Sequence, residues 1–116
     1  VHIRLSNTAR DDIAYILATS HDQHGADAKA RYATLITTAL RRIARDPYGN
    51  NTRRRSELGP DLHSFHLRHA RGAQGAPKVA RPVHIVFYHW TERSGVFVLR
   101  VLHERMEPNR HLTDTL

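Results

Sequence analysis

The chain opens on a short alternation, Val1-His2-Ile3-Arg4-Leu5, that predicts a half-buried strand. Thr8 and Asp11 then have the spacing of a helix N-cap and its acidic partner. Ala9, Ile13, Ile16, Leu17 and Ser20 recur at helical intervals, predicting a first helix over 8–21 with Gly25 as the break. A wider apolar stripe (Ala28, Tyr32, Leu35, Ile36, Ala39, Leu40, Ile43) predicts a second helix. It ends at Asp46-Pro47-Tyr48-Gly49, because the residue before proline resists helical geometry. So short a connection folds the two helices back as an antiparallel hairpin.

Beyond residue 50 the period changes from helical to alternating. Residues 50–56 are polar around Arg53-Arg54-Arg55, and Glu57-Leu58-Gly59-Pro60 reads as a turn. Three strands are expected: one around Phe65 to His69, one over Val83 to Trp90, and one over Val96 to Leu102. Residues 70–81, with two glycines and Pro77, read as a flexible hairpin loop, and Glu92-Arg93-Ser94-Gly95 as a tight turn. Short links make these three strands an antiparallel meander. The expected fold is α+β: an N-terminal strand, then an antiparallel helical hairpin packed on one face of an antiparallel sheet. No repeat or second unit is visible, so residues 1–116 are expected to form one domain.

Strand parity distributes the side chains between two faces. The simplest assignment buries Phe65, Leu67, Phe97, Leu99 and Val101 under the helices, leaving His66, Arg68 and Arg100 on the open face. The middle strand is ambiguous; placing Ile85 and Phe87 inward turns His84, Tyr88 and Trp90 outward. Such a face, bordered by His103 and His111, suits gripping a phosphate backbone or general acid–base chemistry. The alternative for Arg100 is an ion pair with Glu104 or Glu57 that closes the core.

Charge sharpens this picture. The formal net charge is +7 and the pI about 10.8, and Lys29 and Lys78 are the only lysines. Arginine is the fork-shaped donor for carboxylate and phosphate, so nucleic acid, a nucleoprotein or an acidic protein is the favoured partner. A GC-rich genome explains arginine in place of lysine, but not the net charge. The solvent side of the second helix (Arg31, Arg41, Arg42, Arg45) is strongly basic. Arg53-Arg54-Arg55 reads as solvated surface, or otherwise as a contact for an acidic partner. There is no cysteine, which excludes disulfides and thiolate metal sites. His63, His66 and His69 alternate faces on a strand and His21 and His24 sit at a helix end, so no metal and no cofactor is expected. No apolar run approaches a membrane span and the N-terminus lacks a signal-peptide core, so a cytoplasmic protein is expected. A start at Val1 implies that an initiator Met is missing or processed.

The most specific stretch is Arg100-Val-Leu-His103-Glu-Arg105-Met106, closing at His111-Leu112. With Ala9…Asp11-Asp12-Ile13, Arg31-Tyr32, Pro47-Tyr-Gly, Glu57-Leu58-Gly59 and Ile85-Val86-Phe87-Tyr88, it resembles the ParE branch of the RelE/ParE toxin superfamily in order along nearly the whole chain. The resemblance implies a bacterial toxin of a type II toxin–antitoxin pair that inhibits DNA gyrase without chemistry of its own. It also implies a ParD-like antitoxin whose tail folds on binding, giving a toxin–antitoxin hetero-oligomer. Target contacts are expected from His66, Arg68, Tyr88, Arg100, His103, Arg105 and Arg110, and antitoxin contacts from Arg31, Arg41, Arg42 and Arg45. The alternative is a RelE-like ribosome-dependent mRNA endoribonuclease, with Arg68, Arg100, His103 and His111 as candidate catalytic residues. The nearly absent lysines, and the lack of any tyrosine after Tyr88, count against it.

Overall fold

A computed structural model describes residues 2–72 and 78–112. In chain order these form β1 (Ile3–Leu5), α1 (Asn7–His24), α2 (Ala26–Arg45), β2 (Arg53–Arg54), β3 (Leu62–His66), a 3-10 turn (Leu67–Ala70), β4 (His84–Thr91), β5 (Gly95–His103) and α3 (Pro108–Leu112).

The N-cap of α1 is Ser6, not Thr8. Its backbone is still extended, and its hydroxyl accepts the Ala9 N–H at 2.9 Å while donating to the Leu99 carbonyl at 2.7 Å. One side chain therefore starts the helix and ties it to β5. Gly25 alone joins the helices, at φ +91, a backbone conformation that L side chains rarely adopt. It donates to the His21 carbonyl and accepts from the Lys29 N–H, so a single residue closes one helix and opens the next. The apolar stripe of α2 buries Leu35, Ile36, Ala39 and Ile43. Leu35 and Ile43 are wholly buried, which contributes roughly 2 kcal/mol for each side chain.

The sheet order is β1-β5-β4-β3-β2. The meander β3-β4-β5 is antiparallel as expected, but β1 runs parallel to β5, with Ile3 opposite Val96, so the sheet is mixed. The strand expected from Phe65 begins at Leu62 and stops at His66, where the His66 ring accepts the Arg68 N–H and the chain turns. Arg53 and Arg54 pair with Ser64 and His63 as an added edge strand. Of the loop expected over 70–81, residues 73–77 lie outside the described residues, as does Val1; Arg71 donates across it to the Ala80 carbonyl at 2.9 Å.

The face assignment needs correction. Val86, Tyr88 and Trp90 pack under the helices with Phe65, Leu67, Val96, Val98 and Val101. Ile85, Phe87, Phe97 and Leu99 lie in a second cluster on the opposite face with Leu62, Leu102 and Leu112. The cause is a bulge: Phe87 pairs with Arg100 but Tyr88 pairs with Val98, so Leu99 is an extra residue and parity shifts across it. Because Leu112 of α3 belongs to that second cluster, the face away from the helices is itself partly covered.

Candidate functional site

Arg100 is held where the edge of β5 runs on past its pairing with β1. Its Nε and Nη2 donate to the two Asp12 oxygens at 2.8 and 2.9 Å, and its Nη1 donates to the His111 carbonyl at 3.1 Å. The same Asp12 carboxylate accepts the Val101 N–H at 3.0 Å. Both side chains are about 85% buried, with exposures of 15% and 14%. The expectation of an open-face contact residue is thus corrected: Arg100 is a bidentate clamp joining α1, β5 and α3, and its partner is neither Glu104 nor Glu57. Asp12 carried a readable signal, since it lies three residues after Ala9 and four before Ile16 and so shares the buried stripe of α1.

His66 does lie on the face away from the helices. Its Nδ1 accepts a backbone N–H, so the ring proton sits on Nε2 and is donated to Glu104 at 2.8 Å. That bond, the largest influence, holds the Glu104 carboxyl below its ordinary pKa. His66, Glu104 and Arg68 line a groove of about 200 Å³ together with Asn51, Arg53, Arg55, Ser64, His69 and Ile85. In it Arg55 donates to Glu57 at 2.8 Å and to the Ser64 hydroxyl at 3.3 Å, with its guanidinium 5.4 Å from the Phe87 ring centre. Sequence reasoning offered Arg53 and Arg55 only as solvated surface or a contact for an acidic partner, and missed Ser64, because only the β2–β3 pairing brings them beside Arg68.

His103 lies apart from that groove, edge-on to His84 at 5.5 Å. Tyr32 accepts the Val83 N–H and shares a 2.6 Å hydrogen bond with Nδ1 of His84. Burial first, and then the neighbouring His103 and His66, push the His84 pKa down to about 4. Because the hydroxyl oxygen already accepts the Val83 N–H, its own proton is the one directed at His84, whose Nδ1 accepts in the tautomer protonated at Nε2. Tyr32 in turn has its pKa raised by burial.

Tyr88 is not a surface residue. It is fully buried, donates to the Pro47 carbonyl at 2.6 Å and lies 3.3 Å from the Thr52 hydroxyl, and burial raises its pKa. This removes it from any contact with a target. Arg42 is likewise turned inward: it donates to Thr52 at 2.9 Å and to the Asn50 carbonyl, and its guanidinium lies 4.5 Å from the Phe65 ring centre. Arg31, Arg41 and Arg45 are exposed along α2, and Arg105 and Arg110 are exposed near the C-terminal end. His111 offers its carbonyl to Arg100. His63 lies on the helix side, buried between Tyr48 and Tyr88, with no hydrogen-bond partner for either nitrogen among the described residues. Burial lowers its pKa.

A second groove, about 560 Å³, runs between the C-terminal half of α1, the start of α2 and residues 78–84. Ile16, Val79 and Val83 supply its apolar lining, and Arg31, Lys78 and Arg81 its charge. No helix among the described residues is long and apolar enough to cross a membrane.

No curated protein matches the chain. The family profile described as ParE toxin of type II toxin-antitoxin system, parDE, matches residues 3–108, from the first strand to the start of α3, including Asp12, Arg100 and both grooves. This chain belongs to the ParE toxin family, the toxin half of a type II toxin–antitoxin pair whose partner is a cognate antitoxin.

Proposed function

We propose that this toxin works by binding DNA gyrase in the bacterial cytoplasm, without catalysis of its own, and that a ParD-like antitoxin silences it in a hetero-oligomer. The observation that carries the non-catalytic reading is the dispersal of the candidate acid–base set. Arg100 is spent on Asp12, His103 faces His84, and Arg68 lies beside His66. General acid–base chemistry needs such groups within hydrogen-bond reach of one reacting atom. Target contact falls instead to the exposed Arg68, Arg105 and Arg110, with His66 and His103 at the same end of the sheet, and Arg100 positions the segment that carries them.

The antitoxin is assigned to the helix side. Arg31, Arg41 and Arg45 are exposed there, and the 560 Å³ groove beside Arg31 combines apolar lining with three cations. A segment alternating acidic and aliphatic residues fits that chemistry, and its charge would speed association with a +7 protein.

The test is purified toxin added to gyrase in a supercoiling assay, with and without antitoxin. Supercoiling should fall and recover on antitoxin addition, and Arg31→Glu should weaken that recovery. Loss of translation with messages cut at ribosomes, and gyrase untouched, would replace this reading with the RelE-like one.

A further inference from the structure

The groove between β2, β3 and the 3-10 turn is not explained by the fold. Three arginines from two segments, Arg53 and Arg55 at β2 and Arg68 in the 3-10 turn, converge on about 200 Å³ of concave surface. Gathering like charges costs energy unless something offsets it. Glu57 takes one donor of Arg55 and Glu104 is engaged by His66. The side chains of Arg53 and Arg68 make no hydrogen bond or ion pair among the described residues, although their charges act on neighbouring Glu57 and His69. Ser64 is 3% exposed and accepts from Arg55, which leaves its own hydroxyl proton to donate.

We propose that this groove binds a phosphodiester group of a nucleic-acid strand. A flat carboxylate is satisfied by one guanidinium fork, whereas cations on several sides of one concavity match an anion with oxygens on several sides. Arginine, serine and asparagine are also the side chains that hold backbone phosphates. At about 200 Å³ the groove is smaller than pockets that enclose whole small ligands, which run from about 300 Å³ upward. It therefore takes one phosphate of a polymer passing over the surface, not a complete nucleotide. The net charge of +7 attracts such a polyanion from a distance. Glu104 is the one opposing charge lining the groove, and it makes the site testable by gain as well as loss. The inference goes beyond the gyrase reading, since it concerns the toxin alone with nucleic acid.

Fluorescence anisotropy of a labelled 12-nucleotide single-stranded DNA with purified toxin tests it. Arg53→Ala and Arg68→Ala should each weaken binding by about three- to tenfold. The double variant should flatten the slope of log affinity against log salt by about 0.7, the value for one phosphate contact on a single strand. Arg10→Ala and Arg93→Ala remove the same charge from exposed positions on α1 and the β4–β5 turn and should change affinity less than about twofold by loss of long-range attraction alone. Glu104→Gln should tighten binding by about twofold or more, and Glu92→Gln, in the exposed β4–β5 turn, should not. Equal losses from all four arginines would reduce the effect to net charge and overturn the proposal. A mononucleotide binding as well as the oligomer would overturn the polymer assignment. An acidic peptide displacing DNA at equal charge would reassign the groove to a protein partner. Because gyrase is absent, failure here leaves the supercoiling result standing, and failure there leaves this one.

Discussion

Lowering the pH should destabilise this protein through His84. In the folded state its Nδ1 accepts from Tyr32, while His103 and His66 face it with like charge when protonated and Glu104 and Asp12 pull the other way. Burial dominates and sets the pKa at about 4, against 6.5 for the free side chain. Between those values the unfolded chain binds more protons than the folded one, so stability rises with pH across the window and is lost as pH falls from about 6.5 to 4. Going from pH 7.5 to pH 5 costs about 2 kcal/mol from this group alone, and solvent reaching the partly exposed ring reduces that toward 1 kcal/mol. For a domain of this size that is a fall of about 4–8 °C in midpoint. The assay is urea unfolding at pH 7.5, 6 and 5 for the native protein and His84→Gln, which keeps an acceptor for Tyr32 but cannot titrate. His63 and His69, whose pKa values are also lowered by burial, act equally in both proteins, so only the difference is read. The variant should lose less stability between pH 7.5 and 5, by about 1 kcal/mol or more, with an unchanged denaturant slope. Parallel pH dependences would refute the reasoning.

Three further outcomes follow from single contacts. Asp12→Ala strands a mostly buried guanidinium and an edge N–H and should cost about 3 kcal/mol in urea unfolding; a loss below about 1 kcal/mol would mean that the clamp is screened like a surface pair. Gly95→Ala places a Cβ 2.7 Å from the His2 carbonyl at φ +76, so β1 must shift, and amide exchange along β1 should accelerate while α2 stays protected. His63→Phe removes two buried nitrogens without partners and keeps a ring between Tyr48 and Tyr88; it should raise stability by about 1–2 kcal/mol, and a loss would show that the imidazole has a partner after all.

Both helices and the meander were legible because their periods are unambiguous: the stripe of α2 at 3.6 residues and the β-branched runs flanked by glycine turns. The faces of β4 and β5 were not. Val96 to Leu102 is apolar on both sides, since each face has its own core, and alternation cannot orient a strand buried twice over. Nothing local announces an extra residue at Leu99. Tyr88 misled for a related reason: its hydroxyl finds the Pro47 carbonyl, a partner distant in sequence, so a polar tip did not mean an outward side chain. The β2 strand has only backbone pairing to define it, and its arginines read as solvated surface or a contact for an acidic partner. Arg100 stands out in the sequence as a charge within an apolar strand, but its partner Asp12 is 88 residues away.

The parallel pairing of the first strand with the last has a bearing on how the toxin is made. Ser6 and Leu99, bonded across 93 positions, emerge from the ribosome at widely separated times. While synthesis proceeds, β1 has no strand to pair with, and the polar ties of α1 to the sheet at Leu99, Arg100 and Val101 do not yet exist. A chain dominated by such long-range closure completes its fold late. Once β5 has been made, the parallel edge of the sheet and the Arg100–Asp12 clamp can close together. A strand made early is thus among the last to be paired.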